Sequence, residues 1–556
     1  MPLIQLGLLR GILFILLYLA LTVNSVLAAP DNLTEYQRFQ NAVIGFVRAD
    51  ALAYLTHKPL PQFANKSYDH AGRWNTEVSV YLDGVLRGRG VTRGDLLSHS
   101  LQAATMTALS GENSLKPSDL PHARFLVSFK YPPRRVASII DYQGKGLEFL
   151  GDVVIVRTLN RSVIEQQLAR ARHYLLNVMD PQLHGFPKTF DAITGIPENR
   201  LRTIYTASSL YTLLKLDSWK PDPAIEKQIK PIAGFLLSMQ CMQDPCTGAF
   251  YYSYYPAEKH HQQRFVVGTA SKTIFTLIDL WKRTHDQRYL DAAVRAANWL
   301  VTMVNKNGTV NALLEKVDGK WHRETDFSFL YSGQVLSALS RLYKVSPDER
   351  YRKAADRIAT LFRKRLAKAG GKVMGDEFRT PNSVSTSWVA KSLYDYSRID
   401  DNPANHKAVF KAFDAVLANK VNTPDDPYYD GSIYDDPSSS GTGWVNEVLI
   451  DVYHLCKEDG RSNCNRYVNA MIHISRWLIQ RSFSEANTFA LRNPQQALGG
   501  SIRNYGQTTV RTDAVCHGNN SLLGLLEITG SDIHFTLQPP PFAQFYRQLR
   551  QSVDNE

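Results

Sequence analysis

The chain has 556 residues, 44% hydrophobic and 21% charged, with a formal net charge of +12. That composition is ordinary for a globular protein and leaves room for two or three domains with large cores. The basic balance favours anionic partners. There is no nucleic-acid motif and no dense Lys/Arg tract, so an acidic glycan, and not a nucleic acid, heads that class.

In chain order, Arg10 precedes an apolar run from Gly11 to about Val23, and Val26-Leu27-Ala28 supplies small residues for cleavage. The run is short for a bilayer span, so residues 1–29 read as a secretory signal and the mature protein as secreted or periplasmic. A membrane is a partner only if that segment is retained. Its removal lowers the net charge from +12 to +11. Residues 31–157 read as a small α+β domain. β-rich runs lie at Thr76 to Leu82, Ala123 to Lys130 and Leu147 to Arg157, with a hairpin signal at Asp83-Gly84 and a helical stretch from Leu96 to Leu109. Here Leu86-Arg87-Gly88-Arg89-Gly90 and the helical Ala103-Ala104 resemble the strand, glycine turn and alanine-rich helix of AMMECR-type domains. The resemblance implies a fold and no activity, because Arg89 stands where that family has cysteine. A role in docking a protein partner suits such a domain.

From residue 160 to 530 the chain repeats. Amphipathic helices near 161–179, 222–240, 286–304, 348–367, 404–419 and 464–481 alternate with more apolar ones near 204–216, 269–283, 331–344, 388–398, 444–456 and 517–528. No hairpin buries its apolar helix alone. Six closed into a ring place the apolar helices inside, and an open solenoid is the other solution. The long links, most opening on glycine, then gather on one face, where function tends to sit. Residues 531–556 read as a C-terminal tail.

Five cysteines suit an oxidising compartment. Cys241 with Cys246, and Cys456 with Cys464, are spaced to close short loops as disulfides, leaving Cys516 free.

Aligned on Leu210, Ile274, Leu336, Leu393, Leu449 and Leu522, the apolar helices carry a polar column: Ser208, Lys272, Gln334, Lys391, Glu447 and Asn520. Three residues earlier stand Tyr205, Thr269, Tyr331, Trp388, Trp444 and His517. Buried polar side chains cost free energy unless satisfied, so the column implies a shared wet cavity. Aromatic faces beside hydrogen-bonding groups suit sugar rings. Helix N-termini facing the cavity favour carboxylates or sulfates.

The alternation resembles the six-hairpin (α/α)6 superfamily, a mainly α fold whose members include glycoside hydrolases, uronate lyases and sugar epimerases. It implies an exported carbohydrate-active enzyme, with hydrolysis first and uronate elimination or C5 epimerisation second. A noncatalytic glycan-binding or assembly protein is the rival from another class. Hydrolysis needs a carboxylate pair, and Glu447 with Asp513 fits best. The loop acids Glu324, Asp326, Asp430, Asp435 and Asp436 read as caps or surface. Elimination or epimerisation needs a proton carrier and a group to neutralise a carboxylate, which Tyr331, His517, Lys272, Lys391, Asn446, Asn519 and Arg511 offer. Glu447 beside Trp444 is expected in the first turn of its helix with a raised pKa, or ion-paired with Lys391. Asp513 is expected just before its helix, held ionised by Arg511. Cys516-His517-Gly518 is similar to the zinc-binding triplet of lanthionine cyclases, but Gly443-Trp444 on the neighbouring helix brings no second thiolate. No metal and no cofactor is expected.

Overall fold

The computed structural model describes residues 32–111, 115–131 and 135–551. The signal-like segment lies outside the described residues. The described residues divide into two compact units, one within 32–80, 87–148 and 538–551, the other of 81–86 and 149–537.

In the first unit, helices α1 (Asn32–Leu55) and α2 (Leu97–Leu109) accompany strands β1 (Ala71–Leu82), β2 (Val85–Leu96), β3 (Arg124–Tyr131), β4 (Arg135–Tyr142) and β5 (Lys145–Leu150), ordered β2-β1-β3-β4-β5. Phe39, Trp74, Leu101, Phe125 and Phe129 form its core. The segment read as a tail supplies a helix, Phe542–Leu549, whose Phe542 and Tyr546 pack on Phe39. The glycines that the AMMECR resemblance places at a turn lie within β2. A Cβ on Gly88 or Gly90 would fall 1.8 Å or 2.0 Å from the carbonyl oxygens of Ala108 and Ala104. They are glycine because α2 lies directly on the strand.

The second unit is an (α/α)6 toroid. The inner helices are α4 (Thr203–Trp219), α6 (Val267–Thr284), α8 (Phe329–Val345), α10 (Ser383–Ser397), α12 (Ser439–Glu458) and α15 (Thr512–Thr529). The outer ones are α3 (Arg161–Val178), α5 (Pro223–Ser238), α7 (Gln287–Thr302), α9 (Glu349–Ala369), α11 (Pro403–Leu417) and α13 (Asn465–Gln480), and a short α14 (Pro494–Ala497) lies in the last link. Each inner helix packs on the next, and α15 packs on α4, so the ring closes and is not an open solenoid. One continuous apolar core fills the space between the two layers. Close helix approach is bought with small residues, as at Gly443, where a Cβ would lie 3.0 Å from the backbone nitrogen of Gly518. A strand at His534–Thr536 pairs antiparallel with Thr158–Asn160.

The last three inner helices begin five residues earlier than their apolar patterns suggest. Asn382 and Ser438 cap α10 and α12 by accepting from the amides of Ser385 and Gly441, at 2.8 Å and 3.0 Å. The Ser-, Thr- and Gly-rich runs behind those caps read as loop but are helix.

Among the described residues no helix is long and apolar enough to cross a membrane. Disulfides join Cys241 to Cys246 and Cys456 to Cys464, and Cys516 is free and buried. Thiol titration of the denatured, unreduced protein should therefore find one reactive group. A count of three or five contradicts the pairing.

Candidate active site

The extra first turns set the depth of the site. The polar column lies between the sixth and ninth residue of each inner helix, in the second or third turn, and not in the first. It therefore faces the interior of the ring. Ser208, Lys272, Lys391, Glu447 and Asn520 line one cavity of about 120 Å³, together with Trp444 and His517.

Glu447 and His517 form its centre. Glu447 Oε2 lies 2.6 Å from His517 Nδ1, and Asn520 Nδ2 donates to Oε1 at 3.1 Å. Both ion-pair side chains are mostly buried. Burial alone would raise the Glu447 carboxyl. The hydrogen bond and charge of His517, with Lys215 and Lys272 beyond it, outweigh burial and hold the pKa down at about 2. The expectation of a raised pKa is thus corrected, because His517, Lys215 and Lys272, from three other inner helices, converge on this carboxylate. The ion pair with Lys391 is also absent. Lys391 Nζ pairs with Asp451 at 2.8 Å and Asp395 at 3.2 Å, and Arg341 Nε reaches Asp395 at 3.0 Å. His517 Nε2 has no hydrogen-bond partner among the described residues.

Trp388 and Trp444 stack with ring centroids 3.8 Å apart, and Lys272 Nζ lies 4.9 Å and 4.6 Å from their rings. Desolvation pushes the Lys272 pKa down to about 8, against the opposing charge of Glu447. Trp444 also meets the edge of His517, centroids 5.1 Å apart.

The other candidates lie elsewhere. Asp513 is in the first turn of α15, one turn before His517, where Arg511 binds it through Nε at 2.9 Å and a terminal nitrogen at 2.5 Å. That guanidinium also donates to the Tyr205 hydroxyl at 3.2 Å. Burial opposes ionisation of Asp513, but Arg511 outweighs it and holds the carboxyl low. Tyr331 packs on Phe378 at 5.9 Å and under Arg379, outside the cavity lining. Gln334 faces the Gly268 backbone on α6. Asn446 points away from the cavity, as a helical neighbour of Glu447 must, and donates to Ser475 and Ser521 at 3.0 Å and 2.9 Å, tying α12 to α13 and α15. Asn519 donates to the Val515 carbonyl within α15. Asp430 pairs with His473 at 2.8 Å, and Asp435 accepts from the Ser383 amide at 2.8 Å, so these two loop acids serve structure.

Burial pushes the Cys516 thiol up to about 12, and it faces Ser209 on α4 at 3.7 Å, away from its neighbour's imidazole. Among the described residues no group of three His, Cys, Asp or Glu could hold a metal ion.

The sequence reading missed Tyr211, Lys215, Phe275, Thr276, Arg341 and Asp451, which line the cavity one or two turns deeper. They stand three to seven residues beyond the polar column on the same stripe. Charges persisting at that spacing on otherwise apolar helices are the signal that could have found them.

No protein-family model and no curated protein sequence matches the chain. Among solved structures it is similar to a sugar epimerase from a ruminal bacterium, at 11% identity and TM-score 0.52, over 67% of this chain and 99% of that one. It is similar also to cellobiose 2-epimerase from Bacillus thermoamylovorans, at 13% identity and TM-score 0.52, over 66% and 99%. At that identity the likeness shows the fold.

The depressed Glu447 carboxyl fixes a pH signature. Its contribution to stability is complete above its ordinary value of 4.5 and is lost as pH falls toward about 2. In denaturant titrations, the stability gap between wild type and Glu447→Gln should narrow as pH drops from about 5 to about 3. A gap that stays constant over that range contradicts the ion pair.

Proposed function

We propose that the toroid is a carbohydrate-active enzyme that moves a proton on one end of a saccharide, by epimerisation or elimination. His517 is the acid–base group in this reading, and Glu447 is the carboxylate that orients it. The observation that carries it is the 2.6 Å contact of Glu447 with His517 Nδ1 inside a polar cavity. A carboxylate on Nδ1 fixes the neutral imidazole with its proton there and leaves Nε2 able to accept one.

Hydrolysis, the first expectation from sequence, has less support. It needs a carboxyl that is protonated at the working pH. Glu447 is held ionised by His517 and the nearby lysines, and Asp513 by Arg511. Abstraction of a carbon-bound proton instead needs a base and a nearby cation for the oxyanion that develops. His517 and Lys272 supply those parts. A cavity of about 120 Å³ is smaller than the roughly 300 Å³ at which ordinary ligand pockets begin, which fits one end of a sugar and not the length of a chain. The indole of Trp444, backed by the stacked ring of Trp388, supplies apolar surface for its C–H face. Both solved structures named above carry epimerase in their names, which agrees with this chemistry. Two disulfides agree with export to an oxidising compartment, secreted or periplasmic.

The test is incubation with a panel of neutral and acidic saccharides in deuterated buffer, followed by proton NMR and ultraviolet absorbance. Loss of a sugar C–H signal, a new epimer or an unsaturated uronate is the expected result. Losing acid–base help should slow it about 10²–10⁴-fold in His517→Asn and Glu447→Gln. Hydrolysis that survives both substitutions would return the chemistry to Asp513. No product of any kind would favour a glycan-binding protein.

A further inference from the structure

The charges of the cavity do not balance. Lys215, Lys272, Arg341 and Lys391 line it, on α4, α6, α8 and α10. Arg341 and Lys391 are matched by Asp395 and Asp451. Glu447 is left to answer both Lys215 and Lys272, and its own hydrogen bonds go to His517 and Asn520. Lys215 Nζ rests 4.6 Å from the Tyr211 ring, and Lys272 Nζ rests on the two indoles. Among the described residues neither ammonium has a carboxylate ion-pair partner. Asp279, one side of a second opening shared with Lys215, is partly buried, and burial raises its pKa.

A lysine held against aromatic faces without a counter-ion is a costly arrangement. Cation–π contact returns about 0.5–2 kcal/mol, less than the several kcal/mol that removing an ammonium from water takes. Such a site is completed by an anion that arrives from outside. Resting on the proton-transfer reading above, we propose that Lys272 is the specificity-determining residue of the cavity and binds the carboxylate of a uronic acid beside the Glu447–His517 pair. Lys272 has no carboxylate of its own, and a uronate supplies one, whereas a phosphate ester, at about −1.5 to −2, carries more charge than one ammonium matches. A carboxylate on this ammonium also sets the adjoining carbon, whose proton it acidifies, within the same small chamber as the imidazole.

Binding of D-glucuronate, D-glucose and D-glucose 6-phosphate to the purified full chain, by titration calorimetry or ligand-observed NMR, tests this. Glucuronate should bind at least tenfold more tightly than either rival. Lys272→Met keeps the length of the side chain and should lose that preference, bringing glucuronate affinity down to that of glucose. Equal affinity for glucuronate and glucose overturns the proposal, as does a preference that survives in Lys272→Met. Tighter binding of the phosphate ester overturns the assignment to a carboxylate. If the Met variant does not fold, the wild-type preference alone decides. Selective glucuronate binding without any proton exchange would leave the subsite standing and remove the catalytic reading.

Discussion

Six helices too apolar to face water, and too short to bury one another in pairs, have one economical arrangement, which is to face a common axis. Closure of that ring, from α15 back onto α4, is the constraint on which the rest of the second unit depends. It sets the tight contacts that need glycine, as at Gly443 against Gly518. It also creates a centre in which several polar side chains find their partners on neighbouring helices. Asn446 does so through Ser475 and Ser521, and Thr276 through the Ala207 carbonyl at 2.8 Å. Polar groups in such a centre are satisfied jointly or not at all.

That joint satisfaction explains what the sequence could and could not reveal. The alternation of amphipathic and apolar helices is a local signal, so the toroid, its six hairpins and the polar column were legible. The starts of α10 and α12 were not. Serine, threonine and glycine look like loop when neither the cap nor the neighbouring helix is visible, and here they are the small residues that let helices approach. Depth followed from those starts, so a column expected at the mouth lies inside the ring. The charge state of Glu447 was hidden for a different reason. Its carboxylate answers His517 on α15, Lys215 on α4 and Lys272 on α6, and no spacing within α12 announces any of them. Asp513 and Arg511 are two residues apart, and their pairing could be read directly.

The polar groups of the ring lie in two layers along its axis. Arg511, Asp513 and Tyr205 form a polar cluster at the first turns of α15 and α4. One turn further in, the stacked indoles of Trp388 and Trp444 carry Lys272, and beside them lies the carboxylate–imidazole pair. An imidazole oriented by a carboxylate moves protons at neutral pH without a metal-bound water or a protonated acid, which is why the pair, more than any carboxylate separation, shapes the functional reading.

The central claim is that Glu447 dictates the protonation of His517, and the imidazole nitrogens report it directly. In ¹⁵N NMR of the labelled protein near neutral pH, the neutral form of His517 should carry its proton on Nδ1 and leave Nε2 bare. That pattern should be lost in Glu447→Gln. A neutral His517 protonated on Nε2, or nitrogen shifts unmoved by the substitution, would contradict the account.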